Sequence, residues 1–106
     1  MKNTKYKGKR INGKEFAIEL GYSDFRELLQ AFEKMKRMTA KELVKADLTD
    51  ITEIVIGDSL NSIERVQSYL RQTKNPYFFR HNGEIIALSE YEKRRLKRFL
   101  QSCIFR

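Results

Sequence analysis

"KNPYFFRHNGEIIAL", residues 74–88, holds the chain's one proline, its one histidine and three of its twelve aromatic residues, gathered around an Asn-Gly pair. Asn82-Gly83 supplies the two positive φ angles of a type I′ turn, and the flanks YFFRH and EIIAL are β-formers of matched length. The stretch therefore predicts a β-hairpin. Strand alternation points Tyr77 and Phe79 to one face and Phe78 and Arg80 to the other, with Ile85 and Ala87 opposing Ile86 and Leu88. Both faces then carry apolar residues, so the hairpin is either covered on both sides or packed on one side and open on the other. Most large apolar residues are buried, which makes core packing the first role of these aromatics and contact with a partner the second.

The neighbouring segments read as helices. Asn75-Pro76 stops a helix that Asn61 and Glu64 open, with Ile63, Val66 and Leu70 as its apolar stripe to about Thr73. After the hairpin, Ser89 with Tyr91 and Glu92 opens a last helix. Its stripe is Leu96, Phe99, Leu100 and Cys103, while Lys93, Arg94, Lys97 and Arg98 fall on other faces. Upstream, Thr39 with Glu42 caps a short helix through AKELVKA. Asp24 with Glu27 caps a longer one that carries Phe25, Leu28, Leu29, Phe32 and Met35 to about Met38. Between them and Asn61, DITEIVIG has a β-branched run at 54–56 closed by Gly57. It is read as a short strand, with a helix through Leu48, Ile51 and Val55 as the alternative. The Asn12-Gly13 pair in KRINGKEFAIEL suggests a short hairpin or only a turn. The fold class is α+β, three to four helices packed on a small antiparallel sheet built around the C-terminal hairpin.

Composition sets the outer bounds. At 106 residues, with 41% hydrophobic residues, the chain suits one domain with its own core. Residues 1–14 are read as a basic N-terminal arm and 15–106 as a single α+β domain. The lone Cys103 cannot form an internal bridge, which fits a cytoplasmic setting. Neither a membrane span nor an apolar leader is present, so no membrane partner is expected. Net charge is +8, and it is not evenly spread: residues 1–14 and residues 93–106 each carry six basic residues and no acid, while 15–92 hold ten basic and fourteen acidic residues. Basic ends around a net-negative middle attract polyanions by counterion release. The plainer alternative is a solvated tail and a polar helix face that keep the chain soluble.

From Met38 onward, MTAKEL, DITEIVIGDSL followed by ERVQSYLRQ, and above all KNPYFFRHNG resemble a family of small, functionally uncharacterised proteins carried by mobile elements of Gram-positive bacteria. The resemblance covers the middle half of the chain. It implies an α+β domain and a mobile-element setting, and it brings no catalytic residue. Asn61 departs from the family pattern, which has proline after the "SL".

Enzyme chemistry finds little footing in the residues. Asp47, Asp50, Glu53 and Asp58 lack the Asp/Asn/Gly order of a calcium loop and read as helix caps and solvated charge. His81 sits beside a turn with neither a nucleophile nor a ligand partner nearby in sequence, and Glu84 is not followed by the lysine a restriction-like nuclease would need. Cys103 reads as a small buried hydrophobe. No catalytic residue, metal or cofactor is expected. Binding remains: an accessory protein that contacts RNA or DNA through Lys5, Lys7, Lys9, Arg10 and Lys14 at one end and Lys93, Arg94, Lys97 and Arg98 at the other. Arg80 would add a further charge, and Tyr77, Phe78 or Phe79 would stack a base. The alternative is an anti-defence inhibitor, anti-CRISPR-like, that binds a host nucleic-acid enzyme or its guide RNA complex. Self-association through the hairpin edge is the third possibility.

Overall fold

The structure, a computed structural model, describes residues 11–103. Among these residues it is α+β: five α-helices and one two-stranded antiparallel sheet near the C-terminus. The helices are α1 (Gly13–Glu19), α2 (Phe25–Lys36), α3 (Ala40–Lys45), α4 (Ser62–Gln72) and α5 (Glu90–Ser102), and the strands are β1 (Phe78–His81) and β2 (Glu84–Ala87).

The capping signals carry most of this. Thr39 and Glu42 form a full reciprocal box at α3, as do Asn61 and Glu64 at α4. Each satisfies two N–H groups that a helix start would otherwise leave open. Asp24 accepts from the Glu27 N–H at 2.8 Å, while the Glu27 carboxylate reaches one residue further back, to the Ser23 backbone and hydroxyl. Ser89 caps α5 through the Glu92 N–H.

One apolar cluster joins the elements. Leu28 of α2 is fully buried within it, and Pro76 is fully buried as well. Phe16 of α1 meets Phe99 of α5 edge to face at 5.7 Å, and Phe32 of α2 meets Tyr77 in the same manner at 6.4 Å. The last helix buries Leu96, Phe99, Leu100 and Cys103, the full expected stripe. Asn75, itself buried, ties the hairpin's entry to the end of α2: its amide donates to the Met35 carbonyl at 3.4 Å and its oxygen accepts from the Tyr77 N–H at 2.9 Å.

The hairpin forms in the register the turn dictates, with Phe79 opposite Ile86 and His81 opposite Glu84, and Asn82 and Gly83 both at positive φ. Three expectations are corrected. The Asn12-Gly13 pair opens a helix: the Asn12 side chain accepts from the Glu15 N–H at 3.0 Å, and Phe16 and Ala17 bury the face that follows. This brings the helices among the described residues to five. Residues 54–56 join no strand among the described residues; a 3₁₀ turn at Ile51–Glu53 leads into extended backbone at Ile54. The Gln72 side chain takes the part of a neighbouring strand there, accepting from the Val55 N–H and donating to the Val55 carbonyl, both at 2.8 Å. Finally, Ile63 stays 41% exposed, so the inward face of α4 rests on Val66, Tyr69 and Leu70.

Candidate nucleic-acid interface

At 100° per residue, Arg94, Lys97, Arg98 and Gln101 share one side of α5, opposite Leu96, Phe99 and Cys103. Burial follows that division, the first four being exposed and the last three buried. The helix is therefore pinned by its apolar stripe and presents three cations outward. None of Arg94, Lys97 and Arg98 has an ion pair among the described residues. Lys93, at the border of the stripe, lies 3.0 Å from Glu90 with its side chain 31% exposed, and Arg95 lies 3.1 Å from Glu92.

Like charges at i,i+3 and i,i+4 on a helix repel by about 0.2–0.5 kcal/mol per pair. Arg94 and Lys97, and Arg94 and Arg98, stand at those spacings. Packing offsets the cost, because the same helix buries Leu96, Phe99 and Leu100, with Cys103 just past its end. A polyanion placed on this face would relieve the repulsion.

Beside the face runs an open groove of about 650 Å³ between α5 and α2. Its rim carries Lys93, Arg94 and Lys97 from α5 and Lys36 from the end of α2; Phe25, Leu29 and Tyr77 contribute to its floor. Two acids temper the rim. Glu33 holds Lys36 at 3.0 Å and Arg37 at 3.2 Å, and Glu90 holds Lys93. The Lys36 hydrogen bond keeps the Glu33 carboxyl below its usual range. These are exposed pairs, each of small worth, and a phosphate oxygen can take the place of the carboxylate.

The sequence-derived residues divide here. Lys93, Arg94 and Lys97 converge on the groove, and Arg98 stands on the same helix face. Lys14 is exposed in the first turn of α1. Lys5, Lys7, Lys9 and Arg10 lie outside the described residues. Tyr77 is 6% exposed, with its ring against Phe32 and its phenol pushed up to about 12, mainly by burial. Phe78 is half-buried against the same cluster. Packing therefore takes up most of the Tyr77 ring, whose remaining surface faces the groove with Lys36 Nζ 6.0 Å from its centroid, and part of Phe78. Arg80 is turned to structural use: its guanidinium donates to the carbonyls of Val44 at 3.2 Å and Leu43 at 3.5 Å, closing the C-terminal end of α3 where the helix dipole is negative. Lys36 is the residue sequence reasoning missed. It lies 57 positions before Lys93, and only the packing of α2 beside α5 brings the two to one rim.

Burial pushes the Cys103 thiol up to about 11, which leaves it un-ionised near neutrality. His81 is exposed beside the turn, its ring 3.5 Å from the Asn82 amide.

A model of a family of unknown function (DUF6870) matches residues 35–104, and the chain belongs to that family. The matched region runs from the last turn of α2 through α5, so it contains the four rim cations Lys36, Lys93, Arg94 and Lys97 but not Glu33, Phe25 or Leu29. No curated protein and no solved structure matches the chain.

Proposed function

We propose that the chain is a non-enzymatic, cytoplasmic accessory protein of mobile genetic elements that binds the sugar-phosphate backbone of nucleic acid through the outer face of α5, the Lys36 rim and the basic residues of 1–14. The observation that carries this is the unpaired cation trio Arg94, Lys97 and Arg98, held outward on a helix whose opposite side is fixed in the core. Unpaired, exposed and clustered cations are the groups that release counterions when phosphates arrive. The burial of Tyr77 and the occupation of Arg80 argue for contact with phosphates and against base stacking. Binding is accordingly indifferent to base sequence. The resemblance of MTAKEL and KNPYFFRHNG to mobile-element proteins supports the biological setting.

Charge reversal tests it. Arg94→Glu, Lys97→Glu and Arg98→Glu together leave Leu96, Phe99 and Leu100 untouched, so the thermal midpoint should move little. Affinity for a fluorescent 20-base DNA or RNA at low salt should fall by at least tenfold. An unchanged affinity in a folded variant contradicts the proposal. So does a wild-type protein that binds neither nucleic acid at low salt yet retains one host protein after nuclease digestion, the outcome that an inhibitor or adaptor gives.

A further inference from the structure

The sheet has one edge covered and one open. In β1, the Arg80 N–H points away from β2 and donates to the Thr49 carbonyl at 2.9 Å, and Arg80 forms an isolated parallel bridge with Asp50. In β2, the Leu88 N–H donates inward to the Tyr77 carbonyl at 2.8 Å. Antiparallel pairing alternates between hydrogen-bonded and non-hydrogen-bonded pairs. With Tyr77 and Leu88 bonded, Phe79–Ile86 and His81–Glu84 are the bonded pairs, and the backbone groups of Ile85 and Ala87 face outward. Those groups have no hydrogen-bond partner among the described residues. The edge also lacks the usual protections: EIIA contains no proline, no lysine and no bulge.

We infer that this edge pairs with β2 of a second copy of the chain, antiparallel about a two-fold axis through Ile86. That axis sets Ile85 of each copy opposite Ala87 of the other, so outward N–H and carbonyl groups on one copy meet outward carbonyl and N–H groups on its partner. The self-complementarity follows from the register, because the two outward residues are equidistant from Ile86. Charge does not stand against a second copy here. The chain's +8 sits at its ends, whereas residues 80–90 carry Arg80 against Glu84 and Glu90, so the edges meet without the repulsion the whole chains would feel. Tyr91, 58% exposed just past the strand, adds apolar surface beyond the pairing. The product is a four-stranded sheet carrying two α5 helices.

Sedimentation equilibrium without nucleic acid tests this. Wild type should move from the 12.6 kDa chain mass toward twice that value as concentration rises from micromolar to millimolar. Ala87→Pro should stay at the single mass with its thermal midpoint kept, because the ring replaces only an outward-facing N–H. Wild type that is still single at millimolar concentration overturns the inference, as does an Ala87→Pro protein that associates like wild type. Should Ala87→Pro fail to fold, Ile86→Cys decides: mild oxidation should link two copies at the axis, where paired Cα atoms are about 4.5 Å apart, and an absence of linked dimer overturns it.

Discussion

Asn82 and Gly83 hold φ of +52° and +80°, and no heavy atom lies within 4 Å of a Cβ built on Gly83. Space is free there; the backbone angle is the constraint. Gly83→Val should lower stability by about 1–2 kcal/mol, read by chemical denaturation, and an unaltered midpoint would contradict the turn. Buried acids give a second expectation. Burial raises the Tyr69 and Tyr77 phenols from the ordinary value of 10.0 to about 12, and the Cys103 thiol from 9.0 to about 11. Above their ordinary values the unfolded chain ionises while the folded chain keeps its protons, so unfolding gains and stability falls. The loss should start near pH 9 with Cys103 and continue through pH 10–12 with the tyrosines. Tyr77→Phe should flatten the upper part of that fall in thermal melts; a curve that still falls as steeply would remove Tyr77 as a contributor.

Local elements were legible where chain-local chemistry decides them. Thr39 with Glu42, Asn61 with Glu64, and Asn82-Gly83 each solve a hydrogen-bonding or dihedral problem within four residues, and each stands as the sequence implies. Asn12-Gly13 shows the limit of that logic. The same dipeptide that turns a hairpin also caps a helix, and burial of Phe16 and Ala17 against α2 and α5 decides between them. The run at 54–56 shows another limit: Ile54 adopts extended backbone, but a side chain 17 positions away takes up the hydrogen bonds of Val55. Gln72→Ala removes both of those bonds. Since Val55 is 74% exposed and water can replace them, the cost should be about 1 kcal/mol, with faster hydrogen exchange at the Val55 amide. An exchange rate matching wild type would show that the Gln72 bracket does not hold the segment.

Across the whole molecule, charge and core occupy opposite sides of one helix. The periodicity of α5 announced that division, and burial of Leu96, Phe99, Leu100 and Cys103 bears it out. The rest of the candidate interface was not legible, because Lys36 meets Lys93 only through tertiary packing and because Arg80 finds the carbonyls of α3 across 36 positions. Hairpin aromatics that a sequence offers to a partner are needed to join α2 to the sheet, as the Phe32–Tyr77 contact shows. What remains for a ligand on this side of α5 is charge without the hairpin rings Tyr77 and Phe78, and charge leaves a quantitative mark. For duplex DNA, log affinity against log salt has a slope of about −0.9 per neutralised phosphate. The most direct measurement is therefore that slope, between 50 and 200 mM salt, for wild type and for the Arg94, Lys97 and Arg98 to glutamate variant. Loss of three contacts should make the variant's slope shallower by about 2.7, with no dependence on base sequence in either protein. Equal slopes in two folded proteins would contradict the assignment of phosphate binding to α5.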